Sequence, residues 1–258
     1  MLVVHGLGEH SGRYEHVGEA FAAAGIETHA FDLRGAGGSG GRRGDLRRWS
    51  DMHDDVADRL ADVRGRADGR PIALYGHSLG GLVVVGYLLT ERPRPDLAVV
   101  TAPGLDSTIP RWKLRIARML APIVPTLSLP NGLDGAVRSR DPEVDRRVRE
   151  DALNGTASTL RFAAATLAEQ ARVRASLRSL RTPLLVLHGL DDRLVPPSAS
   201  EPFEGLPGVE RRTYPGLRHE LHHEPEGPAI LADVVAWLWG RATLRTQPNI
   251  ASGERFER

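Results

Sequence analysis

The chain is predicted to have an α/β fold, a mostly parallel sheet flanked by helices, on two observations. Short apolar runs of strand type alternate with amphipathic helical patterns along most of its length. One such run, Pro71-Ile72-Ala73-Leu74-Tyr75, leads into Gly76-His77-Ser78-Leu79-Gly80 and then directly into Gly81-Leu82-Val83-Val84-Val85. Strand, G-x-S-x-G, helix is the setting of a nucleophile elbow, a sharp turn that holds a serine in a strained backbone conformation. Residues two positions either side must have almost no side chain, because the helix packs tightly on the strand. Gly76 and Gly80 meet that demand, and Gly81 gives further room.

The elements follow in order. Leu2-Val3-Val4 is a strand that opens into His5-Gly6-Leu7-Gly8. Arg13 to Ala24 reads as a helix with Val17, Ala20, Phe21 and Ala24 on one face, stopped by Gly25. Ile26 to Phe31 is the next strand, and the Gly- and Arg-rich stretch from Arg34 to Trp49 is a surface connection near the site entrance. Ser50 is the expected N-cap of a helix buried through Met52, Val56, Leu60 and Val63. Asp51, Asp54 and Asp55 complement the dipole of its first turn, which explains them better than a metal site with His53. After the elbow, Leu97 to Thr101 is a strand, and about 80 residues then pass before the strand Pro183 to Leu187.

A gap of that size must carry structure of its own, and it holds helical patterns broken at Pro122, Pro125, Pro130 and Gly132. Residues 105–181 are therefore expected to form a helical cap, inserted into a core of residues 1–104 and 182–242. Within it, Trp112, Ile116, Met119, Leu120 and Ile123 recur at helical spacing, with Arg111, Lys113, Arg115 and Arg118 mostly displaced from them. Such a helix can pack over a pocket or lie on a lipid surface. Helices over Pro142 to Asn154 and Ser158 to Ser179 complete the cap. Val209 to Tyr214 is the last strand, and residues 243–258 are expected to form a polar, disordered tail.

A serine hydroxyl needs a base to take its proton and a carboxylate to orient that base. On this type of elbow the chain order is Ser, acid, His, with the acid after a late strand and the histidine near the C-terminus. His188-Gly189-Leu190-Asp191-Asp192 follows the strand at Pro183 to Leu187, and spacing does not choose between the two aspartates. Leu217-Arg218-His219-Glu220 follows the last strand, which favours His219 as base, with His222 and His223 flanking the next helix. Both partners fall at strand C-terminal ends, where open α/β sheets place their sites. The backbone N–H groups of Leu7 and Leu79 are the candidate oxyanion donors, and Gly6 and Gly8 let the first approach the substrate. His5 is expected to bond nearby backbone rather than to act in catalysis.

The stretch His5-Gly-Leu-Gly-Glu-His-Ser-Gly-Arg-Tyr14 resembles the opening of the monoacylglycerol lipase and lysophospholipase branch of the α/β-hydrolases (serine aminopeptidase S33-like). The resemblance continues through Asp32-Leu33-Arg34-Gly35, the elbow, Asp192-Arg193-Leu194-Val195 and Leu217-Arg218-His219-Glu220-Leu221-His222, up to about residue 240. It implies an α/β-hydrolase fold with the cap after the family's sixth strand and the acyl-chain channel beneath that cap. It implies Ser78 as nucleophile, Asp192 as acid, His219 as base, and Leu7 and Leu79 as the oxyanion hole, with no metal or cofactor. The family has roughly two further strands before Leu2, so these N-terminal strands are expected to be missing here. The implied substrate is a lipid ester, monoacylglycerol or lysophospholipid, cleaved to free fatty acid. Carboxylesterase, thioesterase and aminopeptidase chemistry use the same fold, and a non-catalytic ligand-binding role is the remaining alternative. Haloalkane dehalogenases and epoxide hydrolases carry Asp where Ser78 stands.

Composition agrees. With 258 residues, 41% of them hydrophobic, the chain can bury a sizeable core, and a net charge of +1 argues against nucleic-acid binding. Without cysteine there is no disulfide framework and no thiol chemistry. No signal-peptide pattern and no run of about 18 apolar residues is present, so the expected location is the cytoplasm, with transient contact at a membrane surface through the cap.

Overall fold

The computed structural model describes residues 1–132 and 137–246. In chain order the elements are β1 (Leu2–Val4), α1 (Glu15–Ala23), β2 (His29–Phe31), α2 (Ser50–Arg66), β3 (Ala73–His77), α3 (Leu79–Leu88) and β4 (Leu97–Thr101). They continue with α4 (Arg111–Leu120), β5 (Ser128–Pro130), α5 (Pro142–Glu150), β6 (Ala157–Thr159), α6 (Leu160–Ser176), β7 (Leu184–Gly189), β8 (Val209–Tyr214) and α7 (Gly227–Thr246). Six strands form one sheet in the order β2-β1-β3-β4-β7-β8, every neighbouring pair parallel.

Both faces of that sheet are covered, which is why its central strands are continuously apolar rather than alternating. Leu2, Val4, Leu74, Ala98, Val100, Leu184 and Val186 point to the side of α2 and α3. Their chain neighbours Val3, Tyr75, Val99, Leu185 and Leu187 point to the side of α1 and α7. The two residue sets alternate along each strand, so a one-residue slip would exchange the two cores. α3 is buried along its whole length, as its uniformly apolar sequence requires. The chain runs from β1 out to β2 and then back to β3 on the other side of β1. The strand ends at β1 and β3 therefore flank the crevice where doubly wound sheets hold their ligands.

Several boundaries differ from the sequence expectations. The strand expected from Ile26 is ordered only over His29–Phe31, because its neighbour β1 has three residues to pair with it. The helix expected over Arg13 to Ala24 is α1 preceded by a 3₁₀ turn over Ser11–Tyr14. The N-cap position of α2 falls on Trp49, itself in helical conformation, so Ser50 is the first helical residue and no side chain caps that end. The acids of that first turn go to arginines: Asp51 to Arg48 at 3.0 Å, Asp54 to Arg92 at 2.6 Å, Asp55 to Arg34 at 2.7 Å. The insertion between β4 and β7 is not purely helical, since β5 and β6 pair antiparallel within it. The helix expected over Pro142 to Asn154 stops at Glu150, and that over Ser158 to Ser179 ends as a 3₁₀ turn over Leu177–Ser179. Helix α7 continues through Thr246, four residues into the stretch expected to be a tail, and residues 247–258 lie outside the described residues. No helix among the described residues is long and apolar enough to cross a membrane.

Candidate active site

Ser78 stands between β3 and α3 with φ 53° and ψ −116°, a positive φ that non-glycine residues avoid. The turn is over-determined by its surroundings: the Ser78 amide donates to Thr101 O at 3.0 Å, and its carbonyl accepts from Gly104 N at 2.8 Å. The tightness that demands glycine is measurable. A Cβ on Gly76 would lie 2.6 Å from Gly80 O, and one on Gly80 would collide with the carbonyl oxygens of Val4 and His5. Leu79 is the first residue of α3, so its N–H has no partner within the helix.

The loop after β1 approaches the serine from the other side. A Cβ on Gly6 would sit 3.2 Å from the Ser78 Cβ, and Leu7 lines the same cavity as Ser78, Leu79 and His219. His5 is buried and accepts from Leu33 N at 2.9 Å through Nε2, which leaves Nδ1–H to donate to Gly6 O at 2.8 Å. Its work is to tie the β1 loop to the chain leaving β2.

His219, in the loop after β8, places Nδ1 2.7 Å from Asp192 Oδ2, and both side chains are buried. Asp191, one residue earlier, is exposed. The Asp192 carboxylate takes three further donors: Leu194 N at 2.8 Å and Val195 N at 2.9 Å on Oδ1, and His188 Nε2 at 3.1 Å on Oδ2. Burial alone would push this carboxyl up, but the His219 charge and these donors outweigh it and hold it well below the usual carboxylate range. For His219 the balance is reversed in kind. Burial pulls the imidazole down, and the Asp192 charge and hydrogen bond, with Glu220 and Glu9, raise it above its ordinary value.

Behind these loops lies a charged network that sequence reasoning passed over. Glu9 accepts from Gly6 N, from Tyr14 Oη at 2.6 Å and from Arg13. Arg13 also grips Glu220 through two bonds of 3.1 and 2.7 Å, joining the β1 loop to the residue that follows His219. Burial would raise both carboxyls, and the Arg13 guanidinium outweighs it and keeps both lowered. The i, i+4 spacing of Glu9 and Arg13 was visible in the chain. The contact across 207 positions to Glu220 left no local signal. His188, four residues before Asp192, was the other partner missed.

Ser78, His219, Leu7 and Leu79 face a cavity of about 310 Å³ between the sheet and the insertion. Its far wall is largely apolar, with Leu114, Ala117, Leu129, Phe162, Ala163 and Leu167. Helix α6 closes it and is tied to the core: Gln170 Nε2 donates to Gly104 O and Arg172 to Gly86 O, both at 2.8 Å. Helix α4 presents Leu114 and Ala117 to the cavity, while Trp112, Ile116, Met119 and Ile123 are exposed at 60%, 47%, 74% and 74%. The apolar stripe read from the sequence therefore faces solvent, not the pocket.

Residues 1–226 match the family described as serine aminopeptidase, S33. A monoacylglycerol lipase of Mycolicibacterium smegmatis is 32% identical over 246 residues, covering 92% of this chain and 87% of that protein. A phospholipase of Bacillus subtilis is 30% identical over 234 residues, covering 88% and 89%. The crystal structure of a monoacylglycerol lipase from Paleococcus ferrophilus superposes with a TM-score of 0.85 at 31% identity, covering 93% of both chains. The chain thus belongs to the serine aminopeptidase S33 family, in the monoacylglycerol lipase branch of the α/β-hydrolases, and is a carboxylic ester hydrolase.

Proposed function

We propose that the protein hydrolyses monoacylglycerol to glycerol and free fatty acid through a Ser78–His219–Asp192 triad. The observation that carries this reading is the 2.7 Å bond to the buried Asp192 carboxylate from His219, which lines the same cavity as Ser78. In this scheme His219 takes the Ser78 proton as the hydroxyl attacks the ester carbonyl, and Asp192 holds the imidazole in the tautomer with Nδ1–H. The N–H groups of Leu7 and Leu79 stabilise the oxyanion. Glycerol leaves with the proton from His219, and water enters by the same route in reverse to release the fatty acid. The apolar wall of the cavity takes the acyl chain, and residues 105–181 act as its cap.

Lysophospholipid is the second reading, supported by the similarity to the Bacillus subtilis phospholipase. The exposed Trp112, Ile116 and Met119, with Arg111, Arg115 and Arg118 on the same helix and the exposed Ile123 in the turn that follows, suit transient docking of α4 on a lipid surface. The deciding experiment is hydrolysis of p-nitrophenyl esters from acetate to palmitate, beside monooleoylglycerol and lysophosphatidylcholine. Turnover of monooleoylglycerol at medium or long chain, above that of lysophosphatidylcholine, is the expected result. Preference for lysophosphatidylcholine would select the second reading. Activity confined to acetate and butyrate would replace both with a general carboxylesterase.

A further inference from the structure

Five histidine rings run in sequence from the site towards the surface. His219 neighbours His77 at 4.7 Å between ring centres, His77 neighbours His222 at 4.9 Å, His222 neighbours His223 at 4.4 Å, and His223 neighbours His16 at 4.6 Å. Most of the buried rings in this protein have a hydrogen-bond partner: His5 has Leu33 N, His53 has Trp49, His77 has Thr101 and His188 has Ser200. His222 differs. It is 3% exposed, stacked on Tyr14 at 5.0 Å, and both of its ring nitrogens are buried without a partner. Burial of two such atoms is unfavourable unless something else takes them up.

Ligand atoms of His222, His223 and Glu220 all lie within 4.8 Å of one another. From this we infer that Glu220, His222 and His223 form a binding site for a transition-metal dication, with Zn²⁺ the best fit. Two imidazoles and one carboxylate suit zinc, whereas magnesium and calcium prefer oxygen donors throughout. The charges around the site are Glu220, Arg13, Glu9 and Arg138, whose Nε is 3.6 Å from Glu220 Oε1. An incoming dication must take Glu220 from Arg13, and Arg13 keeps Glu9. Since Glu220 directly follows His219, occupancy disturbs the loop that holds the proposed base, so Zn²⁺ lowers kcat without competing with substrate. This second half rests on the function proposed above; the binding itself does not.

The test begins with binding. Metal-free protein is titrated with Zn²⁺ against a chromophoric chelator, using wild type, His223→Ala and His222→Phe. His222→Phe preserves a ring against Tyr14, and His223→Ala, at a half-buried position, covers the case in which the first variant does not fold. Saturable binding of one ion by the wild type is expected, weakened by about tenfold or more in each variant, together with a Zn²⁺-dependent rise in Tm that the variants lose. No saturable binding by the wild type, or an unchanged affinity in the variants, overturns the site. Hydrolysis of a soluble p-nitrophenyl ester is then followed with and without Zn²⁺. A fall in wild-type kcat at constant KM that His223→Ala resists supports the coupling, and binding with unchanged kcat overturns it. An absence of ester hydrolysis altogether would count against the proposed function and leave the binding result standing.

Discussion

Asp192→Asn is expected to lower kcat by about 10⁴-fold, the usual consequence of losing the carboxylate of such a triad. The local geometry explains why the amide cannot substitute. His219 Nδ1 and His188 Nε2 both approach Oδ2, and the amides of Leu194 and Val195 both donate to Oδ1. An asparagine presents an NH₂ to one of these pairs of donors, so either the histidines or the loop amides lose their acceptor. The variant also changes the pH profile. With wild type, kcat/KM rises with pH as His219 loses its proton, and the raised His219 places that limb above the ordinary histidine value of about 6.5. Removing the Asp192 charge leaves burial, which pulls His219 down, less opposed, so the limb moves to lower pH. A kcat/KM profile of both proteins checks this. A greater loss from Asp191→Asn than from Asp192→Asn would reverse the assignment.

Ser78→Ala is expected to have the largest effect on turnover, a loss of about 10⁴- to 10⁶-fold, or about 5–8 kcal/mol of transition-state stabilisation. Stability should stay within about 0.5 kcal/mol of wild type, because alanine keeps the Cβ and suffers the same positive φ, while the backbone bonds to Thr101 and Gly104 are untouched. Kinetics on monooleoylglycerol beside a thermal melt separate the two quantities. Hydrolysis within tenfold of wild type would remove Ser78 as the nucleophile, and a collapsed melt would leave the kinetic loss uninformative about chemistry.

The elbow was legible because its demands are local. Strand, glycine, serine, glycine and helix are consecutive, and each imposes a steric condition on the next. Chain order, which substitutes for distance on this fold, pointed to His219 and to the Asp191-Asp192 pair as residues that follow strands, and only the family resemblance chose Asp192 from that pair. The Glu9–Arg13–Glu220 bridge and the His188 contact were not legible, because what joins them is the closure of the sheet rather than any spacing. The outward face of α4 was beyond reach for a related reason: an amphipathic pattern defines a stripe and leaves open which neighbour, if any, covers it. Several residues of the glycine-rich connection from Arg34 line a second cavity of about 540 Å³ beside the β1 loop, which shares Leu7, Leu79 and Phe162 with the cavity at Ser78.

The two helical walls of the cavity at Ser78 differ in how they are fastened. Part-buried polar bonds tie α6 to helix α3 at Gly86 and to the loop after β4 at Gly104, whereas α4 leans on α6 and turns most of its large apolar side chains outward. Local opening free energies follow such fastening, so α6 belongs to the last cooperative unit to open and α4 to the first. Amide hydrogen exchange should accordingly exchange α4 orders of magnitude faster than α6, and equal protection of the two would contradict it. Under the proposed function the site would then behave as a fixed jaw and a loose one, with the length of acyl chain accepted set by how far α4 yields rather than by the fit of a rigid channel.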